Sequence, residues 1–443
     1  MVFQLPRPLS LTLLLALLMC LAPSAMAAQE GPDLSAAAEP FVSQIQGLME
    51  DPTVAAAMSH VDLTDVQTMA DLVQLTEIPA PPFMEQVRGQ RFLEMLVELG
   101  VDSAWVDEEG IVLGLRRGTG NGGTLAVTGH LDTVFPEGTD VTVRMRGDTL
   151  AAPGIADDTR GLAALLAILR ALNQAEVRTA GDVLFVATVG EEGLGDLRGV
   201  KYLFREGGPR IDSFISIDGT SDAGVTHQGL GSHRYRVTFE GPGGHSWGAF
   251  GLANPAHALG RAIRYFQDLA DPYTRSQPQR TSYNVGRMGG GTSVNSVPFE
   301  AWMEIDMRSE GVETLEAVDG MLHEAVERAL AEENDLRRRG DPLTVDLDLI
   351  GERPSGEVAV EEPLVLRAWA ATRAFGLEPT LGRSSTDSNV PISKGIPSVT
   401  IGGGGVGIGA HSPDEVFVNQ DGPRGIKRAL LIVVAQAGLA RTS

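Results

Sequence analysis

Apolar positions along the chain change their period several times, and each change marks an element. Leu63, Val66, Met69, Leu72 and Val73 recur at helical spacing, the Pro79-Ala80-Pro81-Pro82 stretch breaks the chain, and residues 87–100 form a second amphipathic helix ended by Gly100. Short apolar runs at 111–115, 124–128, 183–189 and 214–217 read as buried strands, with a helix over 161–172. Strands alternating with helices predict an α/β fold, a mostly parallel sheet with helices on both faces.

The middle of the chain reads differently. A strand at 234–240, a helix at 255–269 behind an Asn254 cap, strands at 282–288 and 297–307, a helix at 312–333 and a strand at 343–350 spell β-α-β-β-α-β, the ferredoxin-like order. After Arg353 the α/β pattern resumes with a helix at 364–375, a strand at 398–401 and a helix at 425–440. The expected organisation is a catalytic α/β domain in two parts, residues 61–230 and 353–443, around an inserted domain of residues 231–352. Residues 28–60 carry weak helical periodicity and read as a leader or accessory helix.

Residues 1–27 read as an export signal. Arg7 precedes an apolar run from Leu9 to Ala22 that is too short to span a bilayer, and Ala25-Met26-Ala27 offers a small-x-small cleavage pattern. Cleavage removes Cys20, the single cysteine, so the mature chain has neither a thiol nucleophile nor a thiolate metal ligand. Met19 stands where a lipoprotein signal requires a small residue, which argues against a lipid anchor. The expected location is periplasmic or secreted, with no membrane association after cleavage. A formal charge of −23 repels phosphate backbones and anionic lipids, and nucleic acid is excluded as a partner.

Charged residues then collect at strand ends. His130 follows the strand at 124–128, and Asp132 two positions on shares its side of an extended backbone. Such a pair serves as a metal ligand with its orienting carboxylate, or as an ordinary surface-loop pair. Asp157 and Asp158 stand just ahead of a helix, where an N-cap and a dipole-favoured acid satisfy the same pattern. Glu191 and Glu192, flanked by Gly190 and Gly193, follow the strand at 183–189; Asp218 follows the strand at 214–217; His411 lies in a loop after the strand at 398–401. One edge of an α/β sheet thus receives two histidines and several carboxylates, at the position where open α/β folds bind ligands. Carboxylates gathered there repel one another unless cations neutralise them, and a sulfur-free His and carboxylate set suits catalytic zinc.

His130-Leu131-Asp132-Thr133, the stretch from Gly154 to Asp158, Gly190-Glu191-Glu192-Gly193, Asp218 and His411 together resemble the co-catalytic zinc metallopeptidases. That family includes acetylornithine deacetylase, succinyl-diaminopimelate desuccinylase, glutamate carboxypeptidase and tripeptide aminopeptidase, and the resemblance runs from about Val61 to the C-terminus. It implies a zinc-peptidase-like fold and two zinc ions per subunit, one held by His130 and Asp218, the other by Glu192 and His411, with Asp157 bridging. It further implies that Glu191 is the general base of amide hydrolysis by a metal-activated water, that Asp132 orients His130, and that the Asp157–Asp158 bond is cis. His245, in Gly243-Gly244-His245-Ser246, matches a family histidine that crosses a homodimer to support the oxyanion, and Arg308 and Asn295 match substrate-binding positions. A loop histidine and a solvated strand-end arginine satisfy the same local sequences. Asp218 is the variant of the aminopeptidase and dipeptidase branch, so small peptides are the expected substrates; N-acyl amino acids or carboxypeptidase substrates are the alternative. Thr159 and Arg160 depart from the lysine often found after the paired acids.

Two unrelated readings use the same chain. Gly244-His245-Ser246-Trp247-Gly248 satisfies the serine hydrolase elbow by spacing, with Asp387 and His411 following in order, but Gly241-Pro242-Gly243 precedes the serine and no helix leaves it. Gly402 to Gly407 fits a dinucleotide fingerprint by spacing only, and His323-Glu324 lacks the second histidine of a zincin. A peptide-binding module without turnover is the non-enzymatic alternative, and Glu191, which binding alone does not require, speaks against it.

Overall fold

The computed structural model describes residues 34–440. The export-signal reading, with Cys20, and residues 28–33 lie outside the described residues. The central sheet runs Ser103–Val106, Val112–Arg116, Asp182–Thr188, Thr124–His130, Ser213–Ile217, Ser398–Ile401, Gly224–Gly229 and Gly356–Glu357, with Thr380–Ser384 also paired to Gly224–Gly229. Its four middle strands, from Asp182–Thr188 to Ser398–Ile401, are mutually parallel. Ser213–Ile217 and Ser398–Ile401 are buried at every position, which is why they read as continuous apolar runs: helices cover both faces.

Helix Thr159–Gln174 is apolar nearly all round because it is enclosed nearly all round. It packs between the sheet and the helices Pro52–Leu63, Asp65–Thr76 and Gly422–Ala437. The described part of the segment read as a leader or accessory helix, residues 34–60, lies in two helices, Ser35–Glu50 and Pro52–Leu63, the second running three residues past it. Ile45, Leu48, Val54, Ala57 and Val61 on them are buried in the main core. Their alanines weaken the amphipathic contrast while allowing close helix contact, so the periodicity understates how far they are buried.

The second sheet is antiparallel, in the order Thr281–Gly290, Glu300–Ser309, Gly231–Glu240 and Thr344–Arg353. Helices Pro255–Ser276 and Val312–Leu336 pack on one face, over a core that includes Val237, Phe239, Phe266, Met303 and Leu322. This is the ferredoxin-like βαββαβ order. The strand expected over 297–307 divides in two at Pro298, which has no amide for a ladder. Ser296–Val297 pairs with Gly244–His245, and the long strand begins at Glu300.

The junction between the two sheets is short. Leu230 alone separates Gly224–Gly229 from Gly231–Glu240, and Thr344–Arg353 leads within three residues into Gly356–Glu357, which pairs back onto Gly224–Gly229. Arg353 therefore sits where the second sheet rejoins the first. A third, small antiparallel sheet of Val406–Ile408, Val416–Val418, Thr149–Ala151 and Arg144–Arg146 holds the loop 409–415 beside the segment 152–157.

Candidate metal centre

Parallel register decides which side chains meet. His130 lies opposite Thr188, Thr128 opposite Ser216, and Ile217 opposite Ile401, so His130, Glu191, Glu192 and Asp218 emerge at one edge of the sheet. His411 arrives from the loop of the small sheet, at φ +64°.

Asp157 stands at the middle. Its Oδ1 is 3.1 Å from His130 Nε2 and its Oδ2 is 3.2 Å from His411 Nε2. His411 Nε2 is also 2.9 Å from Glu192 Oε1. Ligand atoms of His130, Asp157 and Asp218 all lie within 4.8 Å of one another, and the same holds for Asp157, Glu192 and His411. Two three-residue groups thus share one carboxylate, and the donors are nitrogen and oxygen only, the set that suits catalytic zinc. His130, Glu191 and Glu192 form a third group within the same limit.

The electrostatics fit a divalent cation. Burial and the neighbouring Asp157 carboxylate push Asp218 well above the ordinary carboxylate range, and burial with Glu191 pushes Glu192 up to about 7. For Asp157 burial acts upward too, but hydrogen bonds with the two histidines outweigh it and hold the carboxyl below its usual range. His411 is raised to about 9, chiefly by its hydrogen bond to Asp157. Carboxylates crowded to this degree retain protons unless positive charge replaces them.

Supporting contacts fix the cluster. The Asp132 carboxylate accepts the amides of Glu191 and Glu192 at 3.0 and 2.8 Å. Its backbone carbonyl is 3.0 Å from His130 Nδ1, whereas the nearer carboxylate oxygen is 3.7 Å away. Asp132 thus sets the His130 ring through its main chain and the paired glutamates through its side chain. Asp158 is the helix cap, accepting from Gly161 N at 3.0 Å and also from His130 N at 3.1 Å. Of the two adjacent aspartates, Asp157 belongs to the cluster and Asp158 to the helix; the bond between them is cis.

Two supporting residues, Glu415 and Arg353, escaped the sequence reading, and a third, Asp387, entered it only in the serine-hydrolase alternative. Glu415, buried, accepts the amides of Gly154, Ala156 and Asp157 at 2.8, 2.7 and 3.0 Å. Arg353 Nη1 lies 3.2 Å from Glu191 Oε1 and 3.1 Å from Ser385 Oγ, and its Nη2 donates to the Glu191 carbonyl. Asp387 is buried behind the cluster, bonded to Thr188, and raised to about 7, first by burial. No local pattern marks Glu415 or Arg353, because they act across 261 and 162 positions of sequence.

The remaining expected residues lie elsewhere or at the rim. Arg308 lines the same cavity as Asp157, Glu191, Asp218 and His411. His245 is exposed, its Nδ1 accepting the amides of Trp247 and Gly248, and Asn295 adjoins it through a bond from Ser246 N to its carbonyl. Neither His245 nor Asn295 lines the cavity of this chain. The serine elbow does not form: Gly244–His245 is a two-residue strand, and the next helix begins at Pro255. The glycine run at 402–405 leads into the strand Val406–Ile408 and not a helix, as a dinucleotide loop requires.

Comparison with known proteins accords with this geometry. Carboxypeptidase G2 of Pseudomonas sp. strain RS-16 is 27% identical over 239 residues, 52% of this chain and 56% of that one, so the match spans little more than half of that relative. Acetylornithine deacetylase of Photorhabdus laumondii is 27% identical over 395 residues, 85% of this chain and 92% of that one. The fold is similar to the crystal structure of aminopeptidase PepT from Bacillus cereus, with a TM-score of 0.67 at 22% identity, covering 84% of this chain and 98% of that one. Residues 126–434 match the sequence profile of Peptidase family M20/M25/M40. On that match, which takes in every residue of the carboxylate and histidine cluster, the chain belongs to peptidase family M20/M25/M40, a family of two-zinc hydrolases.

Proposed function

We propose that this protein hydrolyses the amide bond of small peptides, as an aminopeptidase or dipeptidase, with Glu191 as general base. The observation that carries the reading is Asp157 facing both histidines, with Asp218 on one side and Glu192 on the other. His130 and Asp218 would hold one zinc ion, Glu192 and His411 the other, and Asp157 would bridge them. Bound zinc polarises an amide carbonyl and makes water acidic enough to lose a proton near neutral pH.

Every other step belongs to the chain. Arg353 tethers Glu191 through Oε1, leaving Oε2 to receive the proton from the attacking water and pass it to the departing nitrogen. Burial raises the Glu191 pKa above the ordinary carboxylate range, and the Arg353 charge opposes that rise. Arg308, at the rim, holds the substrate carboxylate. His245 and Asn295 stand outside this cavity, and a second subunit would have to bring them to the oxyanion and the substrate backbone. A second reading, hydrolysis of N-acyl amino acids or of a carboxy-terminal residue, is favoured by the names of the two sequence relatives, a carboxypeptidase and a deacetylase.

Metal analysis of the purified protein, with a panel of di- and tripeptides and N-acyl amino acids, tests both readings. In that assay Glu191→Gln is expected to keep two equivalents of zinc and to lose turnover by about 10²–10⁴-fold. Unchanged turnover removes Glu191 from the mechanism, and a chelator without effect removes the metal.

A further inference from the structure

Arg308 is common to two cavities. One is the cavity of the metal cluster; the other, of about 340 Å³, is lined by Leu230, Arg280, Ser282, Arg308, Glu310 and Arg383. They also adjoin through the chain, because Arg383 is followed directly by Ser384 and Ser385, which line the first.

The second cavity is rich in positive charge. Arg383 Nη1 pairs with Glu310 Oε1 at 2.7 Å, and Arg308 Nε pairs with Asp306 Oδ2 at 2.7 Å. Asp306 is itself shared with Arg234, at 3.0 Å. The guanidinium of Arg280 meets no acid among the described residues, and Arg383 Nε is buried with no hydrogen-bond partner. Arg280, Arg308 and Arg383 thus line this cavity with two paired acids, Asp306 and Glu310, between them, in a chain whose formal charge is −23. Guanidiniums in excess, one with a buried donor unused, suit a planar anion that accepts in the plane of the fork.

On the hydrolase reading above, in which Arg308 holds the α-carboxylate of the departing residue, we propose that this cavity receives a second carboxylate of the same residue. The enzyme is then selective for amides whose departing residue is aspartate or glutamate, with Arg280 and Arg383 as the specificity determinants. A neutral residue of equal size leaves the guanidiniums without their acceptor, and discrimination arises from that loss.

The test compares glutamate with glutamine as the departing residue, offered as alanyl and as N-acetyl derivatives to the zinc-loaded protein. The expected kcat/KM ratio favours glutamate by at least about tenfold, and Arg383→Gln brings the ratio close to one. Arg280→Gln, at an exposed position that does not endanger folding, lowers the ratio as well. Turnover with a ratio near one in the parent protein overturns the proposal, as does a ratio that neither substitution changes. Absence of turnover on any of these compounds counts against the hydrolase reading instead, and titration calorimetry of the same compounds then reads the cavity alone. Tighter binding of the glutamate compounds that Arg383→Gln abolishes sustains the proposal; equal binding overturns it.

Discussion

His411 and Glu192 hold protons that a cation must displace, and that makes zinc binding a function of pH at two particular residues. With His411 raised to about 9 by its bond to Asp157 and Glu192 pushed up to about 7 by burial, uptake of zinc displaces a proton from His411 between those values and from both residues below the lower one. Through these two residues, apparent zinc affinity is expected to rise with pH up to about 9, and more steeply below about 7 than above it. Chelator competition from pH 5 to pH 10 measures the slope, and a flat profile excludes both residues as ligands. The cation-free protein follows the opposite sign. Folded-state values above the ordinary 4.5 of Glu192 and 6.5 of His411 stabilise the fold fully below those values, and the stabilisation is lost as pH rises through about 7 and about 9.

At the scale of elements, the two N-terminal helices are part of the core. Ile45, Leu48, Val54 and Val61 are buried side chains at about 1.5–3 kcal/mol each, a sum that rivals the whole stability of an ordinary domain. A protein beginning at residue 65 is expected to be insoluble or to lose most of its cooperative unfolding transition, measured by circular dichroism and denaturant titration. A truncated chain with an unchanged midpoint removes these helices from the fold. Their contribution was hard to read because alanine packs without announcing itself in a periodic pattern. The buried parallel strands were legible for the opposite reason, being buried at nearly every position and mostly apolar, and so were His130, Glu191, Glu192 and Asp218, because each lies at or just past the end of such a strand. The strands Arg144–Arg146, Thr149–Ala151 and Val416–Val418 span three residues each, too few for any period to show, and the small sheet they form was not anticipated. Glu415 and Arg353 act through contacts that only the assembled topology creates.

At the scale of the molecule, a homodimer in which each second sheet serves the other subunit's centre would reconcile the exposed His245 with the cavity that does not include it. Sedimentation is expected to show a dimer, and His245→Ala to be as inactive as Glu191→Gln. Mixing the two inactive proteins is expected to restore about a quarter of the parent activity, since random exchange gives half heterodimers with one complete site in two. A fully active monomer, or a mixture that stays inactive, excludes the crossed arrangement. One further consequence follows from the loop 409–415, which carries His411 at one end and Glu415 at the other, while Glu415 grips the backbone of Gly154, Ala156 and Asp157. Whatever displaces that hairpin withdraws a terminal imidazole and unfastens the central aspartate in the same movement, so the two halves of the centre are mechanically yoked and cannot be dismantled one at a time.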